Sequence, residues 1–355
     1  MIRKKRSSKE NIVGGMFGLE LFAQEEIFIM DHEPAFLAGP QLLLATARSA
    51  IALLARNLRP KTVWLPSYLC GVVMEAFPSS LLNVRFYPID QKLGIAEEDW
   101  LSDIQTNDLV LFIDYFGFQQ WADWGAEARG RGAWVVQDAA QALLSEHLNK
   151  HSHYVVFSPR KFVGVPEGGI LLALNGSELP KVNLTYPPAQ WWMEATRASI
   201  LRADFDRHGG EQKWFEIFQK TEANGPLKPF RMSDLSLMIL KNAVNWQRVS
   251  KQRRDNYKFL ASGLGEIALF PELPSGIVPL GFPIRLKERD RIRETLFTKK
   301  IYPQVHWSIA GFVPDAFVAS HRLANEIMTL PCDQRYDESD MERIVGQLRS
   351  CINKG

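Results

Sequence analysis

Two charged side chains stand where short apolar runs end. The run Val135, Val136, Gln137 closes on Asp138, with Ala139, Ala140 and Gln141 after it. Lys161 lies 23 residues beyond Asp138, behind a second run, Tyr154 to Phe157, and the connecting Ser158, Pro159 and Arg160. Glu167, Gly168 and Gly169 then open a third apolar run. A carboxylate and an ammonium at neighbouring strand ends meet two demands of pyridoxal phosphate (PLP) chemistry. The carboxylate holds a pyridine nitrogen protonated, so the ring accepts electrons from a substrate α-carbon. The lysine forms a Schiff base and later moves a proton between carbon atoms. The two need not pair, because the cofactor lies between them. Each residue alone also has an ordinary reading: Asp138 as a turn or cap residue, Lys161 as a solvated loop charge, Gly168 and Gly169 as a turn. The joint spacing is what points to PLP, with Lys161 and Asp138 as the catalytic pair.

Elements that would position such a pair recur along the chain. Residues 49–56 are rich in strong helix formers, and Pro60 stops them. Short apolar runs follow at 63–65, 84–87, 109–113, 134–136, 154–157 and 170–172. Their length and β-branched or aromatic content predict strands buried on both faces. Helical segments between several of them predict an α/β fold, a mixed and mainly parallel sheet with helices on both faces, and ligands bound outside the carboxyl ends of its strands. Residues 1–245 form a large cofactor-binding domain with an N-terminal arm, and 246–355 a smaller C-terminal α+β domain. The alternation breaks near 176–230, which reads as a helical insertion carrying Trp191 and Trp192. One long helix is expected from Met232 to about Gly263, since Leu235, Met238 and Ile239 share a face. A capping box of Ser339 and Glu342 starts the last helix.

Composition sets bounds. The chain has 355 residues, 46% hydrophobic and 23% charged, close to the globular average and far from disordered classes. A formal charge of +2 gives no reason to expect a nucleic-acid partner, and no apolar stretch is long enough to span a membrane. The basic start, Arg3 to Arg6, continues into polar residues and reads as a solvated terminus, not a secretory signal. Cys70, Cys332 and Cys351 are scattered without close pairs. They suggest neither disulfides nor a metal site and fit a reducing, cytoplasmic compartment.

Several motifs now resemble one family. Thr46 to Ala50, Leu65 to Cys70, Asp114 to Gly117, Asp138 to Gln141, Lys161 with Glu167 to Gly169, and Arg231 to Ser233 are similar to those of the DegT/StrS-type aminotransferases, of the aspartate-aminotransferase fold (fold type I). The resemblance runs from about Phe36 to Ile352. It implies PLP as cofactor, Lys161 as the Schiff-base lysine, Asp138 on the pyridine nitrogen and Gln141 beside the phenolic oxygen. Ala47 and Arg48 match the turn that holds the phosphate, which suits a helix start near Ser49 presenting free N–H groups. Arg48 would add a charge-assisted bond or else extend into solvent.

The departures from the family are specific. Members commonly carry serine five residues before the lysine, whereas Ser158 stands three before it. An aromatic ring normally stacks on the cofactor where this chain has Cys70, which leaves Tyr68 as a possible substitute. A neighbouring subunit often sends an asparagine to the phosphate, but Pro229 occupies that position, with Lys228 or Arg231 as replacements. His306 reads as a substrate contact, a proton relay or a structural histidine, and Arg335 as an amino-donor clamp or a surface residue. The resemblance implies small-molecule substrates, with an amino group passed from glutamate to a keto-sugar nucleotide, in a homodimer. A different PLP reaction on an amino acid and a non-catalytic PLP-binding regulator are the alternatives.

Overall fold

The computed structural model describes residues 12–20, 34–78, 80–146 and 150–353, and the basic stretch Arg3 to Arg6 lies outside them. The strands are β1 (Val13–Gly14), β2 (Gln41–Leu44), β3 (Thr62–Pro66), β4 (Asn83–Tyr87), β5 (Leu109–Ile113) and β6 (Trp134–Asp138). They continue as β7 (Tyr154–Phe157), β8 (Gly169–Ala173), β9 (Phe282–Arg285), β10 (Ile301–Tyr302) and β11 (Ile327–Leu330). The helices are α1 (Ala47–Leu58), α2 (Gly71–Met74), α3 (Ala122–Gly130), α4 (Ala189–His208) and α5 (Lys213–Ala223). After them come α6 (Asp234–Asn242), α7 (Trp246–Leu264), α8 (Arg289–Thr298), α9 (Val318–Glu326) and α10 (Glu338–Ile352).

Seven strands form the central sheet in the order β2-β8-β7-β6-β5-β3-β4. Strands β3 to β7 are mutually parallel, β8 runs antiparallel to β7, and β2 antiparallel to β8. Alternate side chains explain why the inner strands are apolar throughout. Tyr154 and Val156 of β7, with Leu171 and Ala173 of β8, enter one core. Val155, Phe157, Ile170 and Leu172 enter a second core with Met232, Ile239 and Trp246. Successive residues of a strand face opposite sides, so burial on both faces requires an unbroken apolar run. The expected mixed, mainly parallel sheet is therefore present. Behind it, β9 and β11 pair antiparallel among α7 to α10, and β1 of the arm pairs parallel with β10.

Four local expectations are corrected. Strand β2 was not expected; it is a half-buried edge strand whose Gln-Leu-Leu-Leu sequence has no alternation. Helix α1 begins two residues before Ser49, at Ala47, because the Thr46 hydroxyl accepts the Ser49 amide at 3.2 Å. The single helix over 232–263 is two, α6 and α7, and Asn245 caps the second through the Arg248 amide at 2.9 Å. The capping box at α10 is Asp337 with Asp340, two residues earlier than Ser339 with Glu342.

The 176–230 segment contains the helix pair α4 and α5. Trp191 and Trp192 are half-buried in the structure, and Trp191 Nε1 donates to the Thr221 carbonyl at 3.0 Å. The exposed apolar residues of the pair are Met193, Ile200 and Phe215 instead. No helix among the described residues is long and apolar enough to cross a membrane.

Candidate active site

Parallel strands deliver their last residues to one edge of the sheet. Asp138 ends β6, Asp114 follows β5, and Tyr68 to Cys70 follow β3. Lys161 closes a 3-10 turn, Pro159–Lys161, directly after β7. The start of α1 reaches the same region because Thr46 bridges to Gly168 and the Gly168 amide donates to the Ala45 carbonyl at 2.9 Å. Gly169 lies under that helix start. A Cβ there would come within 2.2 Å of the Thr46 carbonyl carbon and 2.4 Å of the Ala47 nitrogen. The Glu-Gly-Gly run is therefore what lets the N-terminus of α1 approach the sheet.

Charge interactions confirm that these strand ends converge. Asp138 is buried, and among the described residues its Oδ1 accepts only the Ala140 amide, at 2.9 Å. Burial pushes its pKa up while the Lys161 charge pulls it down. The Cys70 thiol is likewise raised by burial and lowered by Lys161. His306 is driven down to about 3, by burial first and Lys161 second, so its imidazole is neutral at ordinary pH. The Lys161 side chain makes no hydrogen bond or ion pair with another described residue, so its amine is uncommitted among them.

A second layer holds the walls. Gln141 Oε1 accepts the Phe116 amide at 2.7 Å, which fixes the loop after β5 with Phe116 in a left-handed conformation (φ 56°). Gln141 Nε2 is buried and has no partner among the described residues. The Phe116 ring meets His306 edge-on at 5.4 Å, and His306 Nδ1 lies 2.9 Å from the Thr329 hydroxyl. Asp114 was legible only as part of a motif. It is a second buried carboxylate, accepting Trp121 Nε1 and Gln137 Nε2, each at 2.7 Å, and burial raises its pKa to about 7.

Not every expected residue joins this cluster. Tyr68 is fully buried, packed against Tyr115 and Trp307 at ring distances of 5.9 and 5.6 Å. It is a core residue, and Cys70 is the half-exposed one beside Lys161. Ser158 is buried at the head of the lysine turn, where its carbonyl accepts the Lys161 amide at 3.1 Å. Arg48 neither extends into solvent nor has a free guanidinium for an anion. It is buried and spends its N–H groups on the Glu222 carbonyl at 3.0 Å, the Gly225 carbonyl at 3.5 Å and Glu75 at 3.2 Å. What this turn still offers an anion is the backbone amides at the start of α1, which have no partner earlier in the helix.

Arg335 is neither a free clamp nor a surface residue. It forks onto Asp333 and donates to the Met16 and Gly15 carbonyls at 2.8 and 3.0 Å, locking the N-terminal arm. Arg231 pairs with Asp234 and Tyr186, whereas Lys228 is exposed, with its amine 5.6 Å from the Phe230 ring centroid.

These residues fit PLP. An orphaned buried amide donor, a buried carboxylate of raised proton affinity, an uncommitted lysine and an open helix start are the partners that a phenolic oxygen, a pyridinium, an aldehyde and a phosphate require. The class defined by this fold and site is the PLP-dependent aminotransferase of fold type I. The sequence profile of the DegT/DnrJ/EryC1/StrS aminotransferase family matches residues 105–349, and the chain belongs to that family. None of the curated proteins matches it by sequence. Its fold is similar to that of the aminotransferase TlmJ from Streptoalloteichus hindustanus (18% identity, 88% of this chain and 86% of that chain covered, TM-score 0.65). It is also similar to DesV of S. venezuelae (16%, 89% and 86%, 0.64) and to Helicobacter pylori PseC, an aminotransferase of pseudoaminic acid biosynthesis (16%, 90% and 89%, 0.64).

Proposed function

We propose that this aminotransferase moves an amino group from glutamate to a keto-sugar nucleotide, with Lys161 as the residue that bonds the cofactor. The observation that carries the role of Lys161 is its uncommitted amine within reach of the Asp138 charge. The sugar substrate class is supported by the family, and by likeness to structures such as a putative sugar aminotransferase from Streptococcus pneumoniae. PLP, when bound, supplies an aldehyde that condenses with amines and a ring that takes up electrons from the substrate carbon. The chain's own residues do the rest. Asp138 would hold a proton on the ring nitrogen, Gln141 Nε2 would donate to the phenolic oxygen, and the first amides of α1 would hold the phosphate. Lys161 Nζ would serve as the base that takes up and returns the substrate proton.

Borohydride reduction of the PLP-loaded protein should fix the label on Lys161; peptide mapping that finds it on another lysine removes this assignment. A mass-spectrometric screen for amination across keto-sugar nucleotides, with glutamate as donor, tests the substrate class. Amination of simple 2-oxo acids alone would reject it.

Residues 1–245 act as the cofactor domain and 246–355 as the smaller one, the break falling at the α6–α7 junction. The working unit is a homodimer. Its contact would include Met193 and Ile200, seven residues apart on α4 and 56% and 49% exposed. Sedimentation of an active monomer at micromolar concentration would reject it. Three free cysteines support a cytoplasmic location.

A further inference from the structure

The helix pair α4–α5 is joined to both arms of the site through its last turn. The Glu222 carboxylate receives Arg160 in a two-pronged pair, Nη1 to Oε1 and Nη2 to Oε2, the second at 2.8 Å. Arg160 is the residue immediately before Lys161, inside the same 3-10 turn. The backbone carbonyl of Glu222 receives Arg48 Nη2 at 3.0 Å, and Arg48 belongs to the first turn of α1. Just beyond α5 the Pro226 carbonyl accepts the Thr46 hydroxyl at 2.9 Å, which ties the same segment to the cap of α1. These groups surround a small cavity lined by Thr46, Arg48, Arg160, Glu167, Trp191 and Glu222.

We propose that Glu222 is a positioning residue: by holding Arg160 in a fixed fork, anchored to α1 through Arg48, it sets where the Lys161 amine stands relative to Asp138. The inference rests on Lys161 being the cofactor-bonding residue. The pair is a third exposed, with 26% and 37% of the two side chains accessible, and such pairs contribute little to stability. Its geometric effect is larger. Two parallel N–H···O bonds restrict the guanidinium in direction as well as distance. The lysine turn is short: the Lys161 amide donates to the Ser158 carbonyl, and the Phe162 and Val163 amides donate back to the Pro159 carbonyl. A displacement of about 1 Å at a reacting group costs on the order of a hundredfold in rate. Arg48 supplies the fixed end. It is buried, and from a helix packed on the sheet it binds the Glu222 carbonyl of α5 and the Gly225 carbonyl just beyond it, so the fork cannot drift with α5.

The test uses the full chain loaded with PLP, as the parent, Glu222→Gln, Arg160→Gln and the double variant. Glu222→Gln keeps the backbone carbonyl and side-chain length and removes only the ionic fork. Each single variant should slow borohydride-trappable bonding of PLP to Lys161 by roughly tenfold or more. Each should also lower the visible circular dichroism per bound PLP, which reports how firmly the cofactor is oriented, while far-ultraviolet spectra and thermal midpoints stay near the parent's. The double variant should be no slower than the slower single one, because the fork is already gone. Parental trapping rates and dichroism in both single variants would overturn the inference, as would losses that multiply in the double variant. If Glu222→Gln does not fold, Arg160→Gln alone decides between the same outcomes. A label outside Lys161 in the parent would instead refute the lysine assignment, so the two failures are distinguishable.

Discussion

Asp138→Asn should bind PLP within about tenfold of the parent and slow amino transfer by about a thousandfold or more. The side chain is buried at the last position of β6, where it accepts the Ala140 amide at 2.9 Å. Asparagine has the same shape and keeps an oxygen for that amide, so the strand end survives. What it lacks is negative charge. Burial without a counter-ion already raises the proton affinity of Asp138, with Lys161 the cation acting against that rise. A pyridinium nitrogen placed there would supply the missing partner and would itself be held protonated, an interaction that no neutral amide reproduces. Several kcal/mol of transition-state stabilisation depend on it, at about 1.4 kcal/mol for each factor of ten. The neighbouring carboxylate does not replace it: Asp114 is occupied by Trp121 and Gln137 and stands just beyond β5. The measurement is the rate at which amino donor bleaches the bound-cofactor absorbance in a single turnover. A variant with near-parental rates would reduce Asp138 to a strand cap.

The strand ends were readable because a fully buried parallel strand requires an apolar run on both faces, and a charged residue closing such a run is conspicuous. That held for β6 with Asp138 and for β7 leading to Lys161. It failed for β2, where three leucines on an edge strand precede a helix without a breaker. It failed again between α6 and α7, because Ala243 and Val244 continue the apolar character and only Asn245 marks the stop. At α10 two overlapping acidic capping patterns compete, and the pattern that reaches the free amides wins.

Side-chain direction was the least legible. Arg48 turns to a carbonyl 174 residues away and Arg335 to one 319 residues away, so neither destination is a local property. Gln141 could be placed near Asp138 from spacing. That its oxygen is spent on Phe116 and its amide nitrogen left free follows only from the loop after β5 folding back on it.

Gly169→Ala should reduce PLP affinity by at least about a hundredfold, with a smaller effect on pyridoxal, which lacks the phosphate. The methyl would meet backbone atoms, the Thr46 carbonyl carbon at 2.2 Å and the Ala47 nitrogen at 2.4 Å, so no side-chain rotation can relieve it. Either β8 or the start of α1 must move by about an ångström to restore ordinary contact, a strain costing roughly 1–3 kcal/mol of stability. β8 is held between β7 and β2 by its ladder bonds, and its residues are buried on both faces. The helix start is the softer partner, secured by the Thr46 cap and by Arg48 reaching to α5. It is also the part that presents the Ala47 and Arg48 amides. A hydrogen bond to a charged group contributes about 1.5–3 kcal/mol, and each 1.4 kcal/mol is a factor of ten in affinity. Displacing two such donors from a phosphate therefore outweighs the loss of fold stability, which a thermal melt of the cofactor-free protein measures separately. Equilibrium titrations with PLP and pyridoxal isolate the phosphate contribution. Equal losses for both ligands would place the phosphate away from α1, and an unchanged PLP affinity would mean that the helix start does not serve as the anion site.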